Sequence, residues 1–208
     1  MSLRRSALIA VLLAACSSPP DAVTDAGVDD GSDASALDSG PVALPDAGID
    51  AGPPDLTVYG PRTEIDLAIE ERFFESDACE LDPIENCVAA SGNRKLLRFS
   101  AETPNIGLGD FFLGAPNTSR PEFEYSPCHE HFHFLGYAVF RLLDSEGMEV
   151  VEGNKQAFCL VDSKVFVQDE TTSLFPKYNC GYQGLQRGWS DVYDSSLPCQ
   201  FLDVTDVT

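Results

Sequence analysis

The sequence predicts a mainly β, sandwich-like domain with long loops and little helix, pinned by disulfides. Three observations carry that prediction. Apolar residues alternate over short runs such as Gly136 to Leu143, between stretches rich in Gly, Pro and Asn. Six cysteines, Cys79, Cys87, Cys128, Cys159, Cys180 and Cys199, follow an N-terminal export signal. No segment has the βαβ spacing of a nucleotide fold.

The elements follow in chain order. Residues 1–16 read as a lipoprotein signal peptide. Arg4 and Arg5 supply the positive start, Ala7 to Ala15 a short apolar core, and Leu13-Ala-Ala-Cys16 a cleavage box that makes Cys16 the lipid-bearing residue. The stretch is too short to span a bilayer. An ordinary secretory signal with a chance cysteine is the alternative, and both readings export the chain. Ser17 after Cys16 does not favour inner-membrane retention, so an outer-membrane or cell-surface anchor is expected. Residues 17–55 hold nine Asp and no Lys, Arg or aromatic residue, a composition that cannot bury enough apolar surface to offset chain entropy. They read as a disordered acidic tether.

Residues 56–208 form the remaining domain, with 25 acidic against 11 basic side chains. That balance disfavours nucleic acid, whose phosphates would be repelled, and would steer a cationic partner inward. Within it, residues 64–74 mix both periodicities and stay open. Lys95 to Phe99 predicts a strand, and Pro104 to Pro116 a loop. Gly136 to Leu143 and Met148 to Glu152 predict strands around an Asp144–Gly147 turn. Gln156 to Val161 is a further strand candidate, 168–191 are mostly loop, and Cys199 to Thr205 closes as a strand. Six cysteines in an exported domain imply three disulfides among fifteen connectivities, each contributing roughly 2–4 kcal/mol. Cysteine ligation of zinc lacks the close Cys-x-x-Cys spacing.

The chain's three histidines all lie in Cys128-His-Glu-His-Phe-His-Phe134. Clustered imidazoles flanked by core-like Phe132, Phe134, Leu135 and Tyr137 suit a borderline transition metal better than a solvated tract. On a straight strand His133 would sit roughly 13 Å from His129, so three ligands to one ion require a sharp bend. With nitrogen donors only, Cu(II) is favoured over zinc. There is no Gly-rich phosphate loop, no Gly-x-Ser-x-Gly elbow and no spare histidine for a Ser–His or Cys–His pair.

Together with these histidines, the ordered landmarks resemble the catalytic domain of lysyl oxidase over roughly residues 54–208. They are Gly153-Asn-Lys155-Gln-Ala-Phe-Cys159-Leu-Val-Asp162, Cys180, Gly184-Leu185, Tyr193 and Cys199-Gln-Phe-Leu-Asp203-Val-Thr-Asp206-Val. Upstream, Pro54-Asp-Leu56, the Cys79/Cys87 pair, Leu96-Leu-Arg-Phe99, Asn105-Ile-Gly107 and Asp110-Phe111 also match in order.

The resemblance implies an amine oxidase with two cofactors. His129, His131 and His133 would bind Cu(II), and Lys155 and Tyr193 would join as lysine tyrosylquinone. A primary amine, including a lysine of a protein substrate, would give an aldehyde, ammonia and H₂O₂ at the expense of O₂. Asp203 lies in a matching stretch and is the candidate base, although a strand-terminal Asp that only bonds the backbone reads equally well. The family's additional disulfide has lost both positions here, within Ser163-Lys-Val-Phe and at Trp189. The implied pairs are then Cys79–Cys128, Cys87–Cys199 and Cys159–Cys180, ahead of a neighbour pairing that begins Cys79–Cys87.

This sequence also departs from the family. Asn154 replaces a His, Phe132 replaces a Tyr, and no Trp precedes the histidine run near Glu124-Tyr-Ser-Pro. The family domain continues beyond the Asp-Val-Thr-Asp-Val strand, which implies a fragment or a shortened variant with an exposed sheet edge. Two other functions compete: a non-catalytic lipid-anchored copper or zinc carrier, and a zinc hydrolase using the same histidines.

Overall fold

The computed structural model describes residues 8–13, 52–153 and 158–207. Cys16, nearly all of the 17–55 tether, and Asn154 and Lys155 lie outside the described residues. The domain is mainly β, and among the described residues its strands group into five small sheets rather than into long ladders.

Residues 64–74 resolve into two elements. Pro61 starts α1 (Gly60–Ile65), where its missing N–H costs nothing, and β2 (Ala68–Phe74) follows. β2 pairs with β3 (Gly92–Arg98), and β3 with β13 (Phe201–Asp203), which contain the cores of the strands expected at 95–99 and 199–205. β13 is shorter than expected because Cys199 has φ +66° and Asp203 turns the chain by accepting the Thr205 N–H at 3.1 Å.

The fully buried β4 (Ala101–Pro104) pairs with β12 (Trp189–Tyr193), which pairs with β10 (Lys164–Val165). β5 (Phe111–Gly114) pairs with β11 (Gln183–Leu185). One expectation is corrected here: the 104–116 segment contains a strand. Residues 168–191 are mostly loop, as expected, apart from β11 and the start of β12. Gly107 and Gly109 lie in the bend before β5, where they permit close backbone approach. A Cβ at Gly107 would fall 2.3 Å from the Asp55 nitrogen, and one at Gly109 would fall 2.2 Å from the Gly52 oxygen.

β6 (Phe123–Ser126) and β7 (His131–Phe134) form a hairpin. β8 (Ala138–Leu143) and β9 (Glu149–Glu152) form another, across the expected turn, where the Asp144 carboxylate accepts the Glu146 and Met148 N–H groups. Leu8–Leu13, within the apolar stretch expected to be a signal core, runs as β1 antiparallel along the other side of β8. Of the strand candidate at 156–161, residues 156 and 157 lie outside the described residues, and 158–161 form no regular strand. Phe158 makes a single bridge to Phe134, and the Leu160 N–H then bonds the Gln183 side chain at 3.1 Å instead of a neighbouring strand.

The main core gathers Phe99, Phe140, Leu160, Leu185, Trp189, Tyr193 and Leu202, each buried. Burying an aliphatic or phenyl side chain of this kind contributes about 1.5–3 kcal/mol. A second cluster of Phe74, Leu96 and Phe201 surrounds Cys87 and Cys199. The three disulfides are Cys79–Cys128, Cys87–Cys199 and Cys159–Cys180.

Cys159–Cys180 closes 21 residues of sequence separation. Replacing both with alanine is expected to lower stability by about 3 kcal/mol through added unfolded-chain entropy. Urea denaturation measures it, and a loss under about 1 kcal/mol would mean that the sheet contacts alone hold this region.

Candidate metal centre

The bend that three histidine ligands require is present. The β6–β7 turn places Glu130 in the left-handed region at φ +58°, an unfavourable conformation for a side chain with a Cβ. Two hydrogen bonds hold it: Glu130 N–H to the Ser126 carbonyl at 2.8 Å, and His129 N–H to the Ser126 hydroxyl at 3.0 Å. The turn folds His129 back over the strand that carries His131 and His133. Ring centroids are then 5.7 Å (129–131), 5.2 Å (129–133) and 5.0 Å (131–133) apart. One donor atom from each ring lies within 4.8 Å of the others.

His129 Nδ1 and His133 Nε2 approach to 3.2 Å, close to the roughly 3.3 Å edge of a tetrahedron with ~2.0–2.1 Å metal–nitrogen bonds. Burial, and then the neighbouring His129, lower the pKa of His131, which favours the neutral imidazole a metal requires. The residues present therefore fit a divalent transition metal. Two other groupings of donor atoms, His131 with Cys159 and Cys180 and Glu85 with Cys87 and Cys199, include disulfide sulfurs and so offer no thiolate.

Tyr193 lies on the core side of the same region. Its ring packs at 4.6 Å and 30° on Phe158, and Phe158 is 6.2 Å from His133. A continuous series of rings thus joins the buried imidazole to the buried phenol. The Tyr193 hydroxyl donates to the Cys159 carbonyl at 3.2 Å. Burial, then the Asp191 carboxyl and Tyr137, push its pKa well above the ordinary phenol value. Asp191 is itself raised to about 7 by burial, although it accepts hydrogen bonds from Val161 N–H at 3.2 Å and the Ser163 hydroxyl at 2.9 Å.

Lys155 lies outside the described residues, but both flanks are anchored beside the site. Gly153 N–H bonds the Phe140 carbonyl at 2.8 Å, and Phe134 N–H bonds the Phe158 carbonyl at 3.0 Å. Asp203 is not among the groups brought together. Its partners among the described residues are the Thr205 hydroxyl and N–H and the Arg94 guanidinium at 3.7 Å.

Sequence reasoning missed four residues that shape the site: Glu85, Ser126, Phe158 and Asp191. Buried Glu85 accepts a hydrogen bond from Ser126 and faces His129 Nδ1 at 3.7 Å. Nothing near Glu85 in sequence signals this. Asp191, two positions before Tyr193 on one strand, was signalled by strand periodicity alone. An open groove lined by Ile84, Glu124, Leu135, Glu152 and Gly153 runs along the outer side of this region.

The lysyl oxidase family model matches residues 59–208. The chain is also 34% identical over 163 residues to lysyl oxidase homolog 3A of Danio rerio, a match covering 74% of this chain and 21% of that protein. Lysyl oxidase homolog 3 of Homo sapiens is 32% identical over 162 residues, with the same coverage of each chain. Lysyl oxidase homolog 2 of Gallus gallus is 33% identical over 163 residues, covering 74% of this chain and 20% of that protein. The matched region spans about a fifth of each of these relatives. A bent trio of converging imidazoles, a buried phenol one ring away and this match across the folded domain agree: the chain belongs to the lysyl oxidase family.

Proposed function

We propose that the protein is an exported, lipid-anchored primary-amine oxidase that uses Cu(II) and a quinone built from Lys155 and Tyr193. The observation that carries this reading is the ring series His133–Phe158–Tyr193 beside three convergent imidazoles. Bound copper would supply the oxidation by O₂ that converts the Tyr193 phenol to a quinone, to which the Lys155 amine is joined.

The chain's own residues do the rest. His129, His131 and His133 hold the ion as neutral donors. Phe158 sets the distance between metal side and phenol and, with Tyr137, keeps bulk water from the Tyr193 ring. Asp191 holds a proton near neutrality within reach of that ring, so it suits proton exchange during turnover better than the ion-paired Asp203. The substrate read from this arrangement is a cationic primary amine, free or as a protein lysine. The carboxylates of Glu124 and Glu152 on the groove, together with the net charge of −21, draw such a group in. Products are the aldehyde, ammonia and H₂O₂. The anchor proposed is the lipid on Cys16, and a chain this acidic is not expected to take a nucleic-acid partner.

Aerobic copper loading followed by peptide mapping tests the reading. A single cross-linked peptide pair containing Lys155 and Tyr193 is expected. Separate unmodified peptides with metal bound would instead leave the non-catalytic copper or zinc carrier. Replacing Cys16 with alanine should abolish labelling by a fatty-acid probe and release the protein from membranes; membrane retention without label would remove the anchor.

A further inference from the structure

The buried carboxylates of this domain are each accounted for, with one exception. Glu80 pairs with Arg72 at 3.0 Å, and Glu102 with Lys164 at 3.2 Å. Asp162 accepts four N–H donors, from Lys177, Tyr178, the Gln186 backbone and the Gln186 amide. Asp191 accepts from Val161 and Ser163. Glu85 is 2% exposed, and among the described residues no Lys or Arg lies within ion-pair reach of it. Asp162 and Asp191 also lack a Lys or Arg partner but each accepts several hydrogen bonds, whereas Glu85, among the described residues, accepts one, from Ser126, and has His129 as its other neighbour.

The two oxygens of Glu85 have different partners. Oε1 accepts the Ser126 hydroxyl, the same hydroxyl that receives the His129 N–H. Oε2 faces His129 Nδ1 at 3.7 Å, and that nitrogen is the one 3.2 Å from His133 Nε2. Glu85 therefore sits on the edge of His129 that faces His133; its oxygens are not within 4.8 Å of the three histidine donors together, so direct ligation requires a closing movement of its side chain.

Covalent structure holds the segment there. Cys79–Cys128 ties its start to the residue before His129, and Cys87–Cys199 ties its end to the chain entering β13. Cys87 N–H also bonds the Glu80 carbonyl at 2.9 Å, which closes the loop that presents Glu85.

We infer that Glu85 is a fourth, anionic donor of the metal centre: Oε2 ligates the ion directly while Ser126 fixes Oε1. The inference rests on the reading of the three histidines as metal ligands. It makes the centre a three-nitrogen, one-oxygen site with one negative charge from the protein. A harder, oxygen-containing donor set of that kind suits Cu(II) or Zn(II) and disfavours Cu(I).

Two measurements on the whole protein test it, with Cu(II) or Zn(II) alone as the probe. In a crystal structure of the zinc-loaded wild type, a Glu85 oxygen is expected about 2.0–2.2 Å from the ion. An ion held by the imidazoles with both Glu85 oxygens beyond about 3 Å overturns the proposal. The second measurement is Cu(II) affinity and electron paramagnetic resonance of Glu85→Gln, which keeps the shape and the acceptor toward Ser126. An affinity loss of about ten-fold or more, with altered copper hyperfine splitting, is expected. A folded variant with unchanged affinity and spectrum overturns the proposal, and if the variant does not fold, the wild-type complex decides. Wild-type protein that binds neither metal would remove both this inference and the oxidase reading. Metal bound through Glu85 without any Lys155–Tyr193 cross-link would remove only the latter.

Discussion

Replacing Tyr193 with phenylalanine is expected to reduce amine-dependent H₂O₂ release to background while copper binding stays within about two-fold of wild type. The ring remains, so its 4.6 Å contact with Phe158 and its 5.8 Å edge contact with Tyr137 survive. Only the hydroxyl is lost, and with it the hydrogen bond to the Cys159 carbonyl. That costs about 1 kcal/mol, too little to unfold a domain held by three disulfides. The chemistry is lost entirely, because no oxygen remains on the ring from which to build a quinone. Tyr137→Phe is the control. Tyr137 is as buried as Tyr193 and touches it, so a phenol needed only for packing would make the two variants behave alike. A peroxide-coupled assay with metal quantification reads the contrast. Turnover that survives Tyr193→Phe, or that vanishes equally in Tyr137→Phe, would reject Tyr193 as the cofactor residue.

The site was partly legible in the sequence because its donors are local. Three histidines in five residues announce a metal without any knowledge of the fold. Their geometry was legible only as a requirement: rise per residue demanded a bend, but nothing in Pro127 to Glu130 names the left-handed Glu130 or the Ser126 hydroxyl that hold it. Glu85 was hidden because its relation to Ser126 spans 41 residues and is created by disulfide closure, which periodicity does not encode. The fold divides in the same way. Alternating apolar positions revealed β8 and β9, whose pattern arises within each strand. β5 was obscured because glycines that allow backbones to approach look identical, in sequence, to glycines that allow turns. Phe158 followed neither rule, since it bridges to Phe134 by one residue and then leaves the ladder.

Asp191→Asn is expected to remove a pH dependence of stability that the wild-type apoprotein carries between about pH 4 and pH 7. The carboxyl is 1% exposed, and burial raises its pKa from 3.8 to about 7 in the folded chain. In the unfolded chain it holds a proton only below about 4. Between those values the folded state binds more protons, so stability falls as pH rises. The contribution is complete below the unfolded value and gone above the folded one. At 1.36 kcal/mol per unit, the whole change is on the order of 4 kcal/mol. Asparagine does not titrate, and it can keep an acceptor toward the Val161 N–H while its amide faces the Ser163 hydroxyl. The difference in unfolding free energy between variant and wild type, measured in urea at pH 4, 6 and 8, should therefore grow in the variant's favour by about that amount. Parallel curves would mean that Asp191 stays ionised throughout, held by its hydrogen bonds. The phenols report the same event from the other side. The Asp191 carboxylate raises the pKa of both Tyr193 and Tyr137, so the neutral amide should lower both, which ultraviolet titration of the apoprotein detects. A carboxyl that gains its charge near neutrality thus works against ionisation of Tyr193, and under the proposed function a cation at the histidine site would oppose that effect.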